Sequence, residues 1–127
     1  MSSLDPTPAQ RVLVIDDDQD VADSLVMFLE TFGVDVRVAY SGEAGLEAVR
    51  EFMPRLVFLD IGMPRMDGYE TARRLRALPE GRDVKLVALT GWGQEQISDR
   101  ARTSGFDLQL TKPATLEALE ELLASIK

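Results

Sequence analysis

The chain contains no cysteine and no histidine. The first absence rules out a disulfide framework and fits a reducing, cytoplasmic setting. The second removes imidazole acid–base chemistry and zinc sites of the usual kind. Basic residues are also in short supply. Fourteen Lys plus Arg stand against 22 Asp plus Glu, and the net charge of −8 repels nucleic acid backbones and anionic membrane surfaces. Direct nucleic acid binding is therefore not expected. No apolar run approaches the roughly 18 residues that a membrane span requires, so no membrane insertion is expected either. Residues 1–10, MSSLDPTPAQ, have neither a basic segment nor an apolar stretch. They are no signal peptide and read as a flexible tail or linker. With 127 residues, 45% of them hydrophobic, the chain can bury one core and is too short for two ordinary domains. Residues 11–127 are expected to form that single soluble domain.

Strand and helix patterns alternate five times. Val12 to Ile15 is a short apolar strand, after which Val21, Leu25, Phe28, Leu29 and Phe32 recur at helical spacing until Gly33 ends the helix. Val34, Val36 and Val38 alternate with Asp35 and Arg37, as on an outer strand with one face less buried. Ser41 suits an N-cap for a helix carrying Ala44, Leu46, Ala48, Val49 and Phe52, and Pro54 closes it. Leu56 to Asp60 is a strand, and a helix from about Gly68 to Leu78 turns Tyr69, Ala72 and Leu75 inward. Pro79-Glu80-Gly81 is a turn before a strand from Val84 to Leu89. The segment Gln94 to Ser104 is a poor helix, with only Ile97 and Ala101 as apolar content. It reads either as a solvated crossover or as a weakly held, movable element. Leu108 to Leu110 is the fifth strand, and Thr115 caps a last helix with Leu116, Leu119, Leu123 and Ile126 on one stripe.

The most informative stretch is Leu56-Val57-Phe58-Leu59-Asp60 followed by Ile61-Gly62-Met63-Pro64-Arg65-Met66-Asp67-Gly68. An unbroken apolar run ending in a carboxylate reads as a buried parallel strand that delivers Asp60 to its carboxyl end, where ligands gather in open α/β sheets. Other candidate strands end in Asp16-Asp17, Thr90 and Lys112-Pro113. Taken singly, each has a plainer reading. Asp16 to Asp18 form an acidic N-cap cluster, Asp60 makes a structural bond, Thr90 belongs to loop chemistry before Gly91, and Lys112 is a surface lysine. Taken together and in this order, they closely resemble the receiver domain of two-component response regulators, across Arg11 to Ile126.

That resemblance implies a flavodoxin-like (βα)5 fold, a doubly wound five-stranded parallel sheet of order 2-1-3-4-5 with helices on both faces. Periodicity alone leaves the strand order open. The resemblance further implies that Asp60 is the phosphoacceptor, with Mg²⁺ (or Mn²⁺) held by Asp17, Asp60 and the Gly62 carbonyl, and by Asp16 mainly through a water. Such a cation is needed on physical grounds as well, because a carboxylate and a phosphoryl group are both anionic. Lys112 and Thr90 would then meet phosphoryl oxygens, and Pro113 matches the cis-prone proline after the signature lysine. Receivers commonly carry a ring three residues before that lysine, whereas this chain has Gln109 there, expected to stay solvent-facing while Trp92 serves as the bulky moving group. The expected partner is a sensor histidine kinase or histidine phosphotransfer protein, and the expected state a monomer or weak dimer. The chain is read as a phosphoacceptor rather than a turnover enzyme, either free-standing or cut from a longer protein such as a hybrid kinase. Two other classes compete. A haloacid dehalogenase-like phosphatase would use the D-x-D spacing of Asp16 and Asp18, and a metal-free interaction module would retain only the fold.

Overall fold

The computed structural model describes residues 10–63, 66–91, 99–112 and 114–125. In chain order the elements are β1 (Arg11–Ile15), α1 (Gln19–Glu30), β2 (Asp35–Ala39), α2 (Gly42–Phe52), β3 (Leu56–Asp60), α3 (Gly68–Ala77), a 3₁₀ turn at Pro79–Gly81, β4 (Lys85–Thr90), α4 (Asp99–Ser104), β5 (Leu108–Thr111) and α5 (Leu116–Ser125). The strands are parallel in the order β2-β1-β3-β4-β5. This is the doubly wound sheet expected above, and its order reverses between β1 and β3.

Strand parity divides the core in two. Leu13, Ile15, Val57, Leu59, Leu86 and Ala88 pack with Val49, Ala72, Leu75, Ala101 and Phe106 on the α2, α3 and α4 side. Their neighbours Val12, Val14, Leu56, Phe58, Val87 and Leu89 pack with Leu25, Leu29, Leu119 and Leu123 on the α1 and α5 side. Both faces of the central strands are therefore covered, which is why those strands read as unbroken apolar runs.

Local capping chemistry sets the helix starts. Asp18 accepts from the Val21 N–H, Ser41 from Ala44, Asp67 from Glu70 and Thr115 from Ala118. Gly33 closes the α1 turn at φ +79°, a conformation open to glycine at little steric expense.

Two inward assignments and one outward assignment are corrected. Phe28 is 44% exposed and Leu116 53% exposed, because α1 and α5 turn narrower stripes to the sheet than the spacing implied. Gln109 is buried, at 9% exposure, and not solvent-facing. It aligns with Ala88 across the β4–β5 ladder, so strand parity turns it toward the α4 side of the sheet. The fourth helix is described from Asp99 to Ser104, and the Gln94 to Ser98 part of that reading lies outside the described residues, as do residues 1–9 and Ile126.

Candidate functional site

Register brings the predicted residues to one edge of the sheet. Ile15 pairs with Leu59, Asp60 with Leu89, and Thr90 with Thr111, so Asp16, Asp60, Thr90 and Lys112 all fall at carboxyl ends. The Lys112 N–H donates to the Thr90 carbonyl at 2.8 Å, which extends the ladder by one step and fixes where the lysine leaves the strand.

The side chains then form a compact charged group. Asp16 is fully buried and Asp60 is 7% exposed, while Asp17 is open to solvent. Lys112 Nζ lies 2.9 Å from Asp16 Oδ2 and 3.3 Å from Asp60 Oδ2, bridging both acids. Backbone amides hold the remaining oxygens: Asp18 N–H donates to Asp16 Oδ1 at 3.0 Å, and Gly62 N–H to Asp60 Oδ1 at 3.0 Å. Burial raises the Asp16 pKa, a shift that bonds from Lys112 and the Asp18 amide only partly offset. For Lys112 burial acts downward, yet Asp16 and Asp60 outweigh it and the net shift is upward, so the lysine is an ammonium at neutral pH.

One oxygen each from Asp16, Asp17 and Asp60 lie within 4.8 Å of one another. Three carboxylates against one ammonium leave local charge that a cation would neutralise. The donors are all oxygen, which suits a small hard ion such as Mg²⁺ or Mn²⁺ and not a thiolate-seeking metal. Asp18, the second acid of the D-x-D spacing, is engaged as the α1 cap. Thr90 is buried, at 2% exposure, at the end of β4. Trp92 and Pro113 lie outside the described residues.

The start of α3 packs closely against the end of β3. A Cβ added at Gly68 would sit 2.5 Å from the Asp60 carbonyl oxygen, so α3 starts against the backbone of Asp60 itself. Asp67 caps that helix with Oδ1, and its carbonyl accepts from the Thr71 hydroxyl at 2.9 Å. Reading the sequence alone passed over what lies behind the loop: Arg100 reaches Asp67 at 3.8 Å and stacks on Tyr69 at 4.0 Å. Asp67 carried a signal, the three-residue spacing to Glu70. Arg100 carried none, since its partners sit some thirty residues earlier in the chain. On the other side of the site a cleft of about 280 Å³ runs beside Lys112, lined by Val21, Leu25, Phe28, Leu89 and Ala114. It gives the exposed ring of Phe28 a setting.

The chain is similar to known proteins in sequence and in fold. A family model described as response regulator receiver domain matches residues 12–124. An uncharacterized 14.6 kDa protein in the sodA1 3′ region of Leptolyngbya boryana is 40% identical over 102 residues, covering 80% of this chain and 78% of that one. The DNA-binding dual master transcriptional regulator RpaA of Synechocystis is 36% identical over 117 residues, covering 92% of this chain and 47% of its own. The chain thus spans about half the length of RpaA and of the MprA regulators it also matches. Among solved structures, a CheY-like receiver domain from Methylobacillus flagellatus superposes with a TM-score of 0.84 at 31% identity, over 94% of this chain and 99% of the other. The receiver domain of Saccharomyces cerevisiae Ssk1, solved with the histidine phosphotransfer protein Ypd1, gives 0.82 at 25% identity, over 95% and 90%. A sensor kinase receiver domain from Pseudomonas aeruginosa, solved with a magnesium ion in its active site cleft, gives 0.83 over 93% and 97%, and at 23% identity it shares the fold alone.

Proposed function

From a chain that belongs to the response regulator receiver domain family, we propose that Asp60 takes the phosphoryl group and that Asp16, Asp17, Lys112 and Thr90 serve that transfer. The chain is a receiver domain of two-component signal transduction. The observation that carries the assignment is Lys112 bridging Asp16 and Asp60 at 2.9 and 3.3 Å beside the three-carboxylate cluster.

In the proposed reaction an Asp60 oxygen attacks phosphorus, an O–P bond forms, and the N–P bond of a phosphohistidine breaks with its electron pair leaving on the ring nitrogen. The Gly62 N–H holds Asp60 Oδ1, which leaves Oδ2, on the lysine side, as the freer oxygen. Lys112 exchanges a carboxylate for a phosphoryl oxygen as a point charge, and the Thr90 hydroxyl donates to another. Asp17 and Asp60, with the Gly62 carbonyl and with Asp16 behind them, are the groups that would hold Mg²⁺. When bound, the ion offsets the charge of the incoming phosphoryl group. The donor is expected to be a sensor histidine kinase or histidine phosphotransfer protein, the latter being what the Ssk1 receiver is bound to. Phe28 and the cleft beside Lys112 offer such a donor an apolar contact next to the reacting group. A cytoplasmic setting and action as a signal carrier rather than a turnover enzyme complete the proposal.

Treatment with acetyl phosphate and Mg²⁺ should add the mass of one phosphoryl group, and chelation of the metal should prevent it. Labelling that proceeds equally well in excess chelator would remove the cation from the mechanism. Asp17→Asn should weaken Mg²⁺ binding by about tenfold to a hundredfold, measured by titration calorimetry, with little change in thermal stability because Asp17 is exposed. Unchanged affinity would exclude Asp17 as a ligand.

A further inference from the structure

Helix α4 is attached to the molecule in an uneven way. Its described residues bury Ala101 and Ser104, and it packs principally against α3. The strand on its side of the sheet presents Gln109 in register with Ala88, so the floor there is partly polar. Its firm attachments run to α3. Arg73 Nη1 donates to Ser104 Oγ at 3.4 Å, and Arg76 donates twice to the Gly105 carbonyl, at 2.9 and 2.8 Å, just beyond the helix end. All three bonds sit at the carboxyl end of α4.

Nearer the other end of the described helix, Arg100 makes the polar link to α3. The Arg100 guanidinium carbon lies 4.0 Å from the Tyr69 ring centroid and its Nη2 is 3.8 Å from Asp67 Oδ2, and Tyr69 in turn meets Phe106 edge-on at 6.4 Å. Asp67 is where the loop from Asp60 ends and α3 begins, and Gly68 presses on the Asp60 carbonyl. Arg100 therefore contacts both the residue at which that loop ends and the first turn of the helix packed against Asp60. Stacking and charge are both in play: lysine could keep the attraction to Asp67 but has no plane to lay on Tyr69.

Taking Asp60 as the phosphoacceptor, as proposed above, we infer that Arg100 is a positioning residue that couples the acceptor loop to α4 through Asp67 and Tyr69. When the loop changes shape around the phosphoryl group, α3's first turn moves with it. Arg100 carries that movement into the weakly seated helix, which pivots on its Ser104–Gly105 end. Loss of Arg100 uncouples the two without touching the reacting groups.

The test compares hydrogen exchange of the full chain with Mg²⁺, with and without beryllofluoride as the stand-in for the phosphoryl group, in the parent, Arg100→Ala and Arg100→Lys. In the parent, exchange should change both in the acceptor loop and across residues 99–104. In Arg100→Ala the loop response and Asp60 labelling should persist while the α4 response disappears, and unliganded α4 amides should exchange about two- to fivefold faster. Arg100→Lys should restore only part of the α4 response. An α4 response in Arg100→Ala equal to the parent's overturns the coupling role, as does a parent in which the loop responds and α4 does not. A parent that neither responds in the loop nor becomes labelled overturns the acceptor assignment, and the coupling with it.

Discussion

Asp60→Asn is expected to gain no phosphoryl mass from acetyl phosphate and Mg²⁺ under conditions that label the parent fully. Asparagine keeps the shape and can still accept from the Gly62 N–H, now 3.0 Å from Asp60 Oδ1, but it has no anionic oxygen to attack phosphorus. Neither of the two aspartates clustered with it among the described residues is placed to substitute. Asp16 is fully buried, with one oxygen held by the Asp18 amide and the other by Lys112. Asp17 stands in solvent, outside the lysine's reach among the ion pairs of the described residues. The fold should survive, because Lys112 retains Asp16 at 2.9 Å and one of three crowded carboxylates becomes neutral. A stability change within about 1 kcal/mol is expected in metal-free buffer, from one lost pair against relieved repulsion. Intact-mass measurement and a thermal melt on the same sample separate the two effects. If the variant is labelled at another aspartate as readily as the parent, Asp60 is not the acceptor.

Much of this arrangement could be read from the chain because a parallel sheet converts one-dimensional pattern into position. A short apolar run ended by a polar residue is a strand with its carboxyl edge marked, and Asp16, Asp60 and Thr90 were located that way. Lys112 followed from the same logic even though β5 is a weak strand, since its neighbours Leu108 and Leu110 fixed the parity. Parity also contradicted the reading of Gln109: a polar side chain suggested solvent, but alignment with Ala88 turned it inward. Helices were harder. Apolar spacing placed Phe28 and Leu116 on the core stripe, whereas the sheet had room for Leu25, Leu29, Leu119, Leu122 and Leu123 and left those two outside. Spacing records which residues share a face and not how wide a face the partner surface accepts. Least legible were the arginines. Arg73, Arg76 and Arg100 entered no reading of a site or of the core, and each has a partner roughly thirty residues away along the chain, so only the folded chain reveals those contacts.

Arg76→Ala should be the most destabilising exchange of a charged residue in α3, at about 2–3 kcal/mol. Its side chain is 21% exposed and gathers acceptors from three segments. It donates to the carbonyls of Gly81, Arg82 and Val84 at 3.1, 3.1 and 2.8 Å, twice to Gly105, and to Asp107 Oδ2 at 2.9 Å. Asp107 in turn accepts from the Leu86 N–H at 2.9 Å, so the cluster also anchors the start of β4. Truncation leaves carbonyls around buried Gly81 and Val84 without their donor. The groove around them, lined also by Arg82, Lys85 and Phe106, is open, so water replaces part of what is lost and keeps the figure below that of a sealed core. A fall in melting temperature of roughly 10 °C is expected for a domain of this size. Arg74→Ala is the matched control. That guanidinium is 57% exposed and, among the described residues, pairs with Glu70 four residues back, a contact worth about 0.3–0.5 kcal/mol. Arg76→Lys should recover less than half of the loss, since one ammonium cannot serve acceptors spread around a planar fork. Equal melting temperatures for Arg76→Ala and Arg74→Ala would mean that the carbonyls are satisfied by solvent, and that the turn after α4 is not held by Arg76.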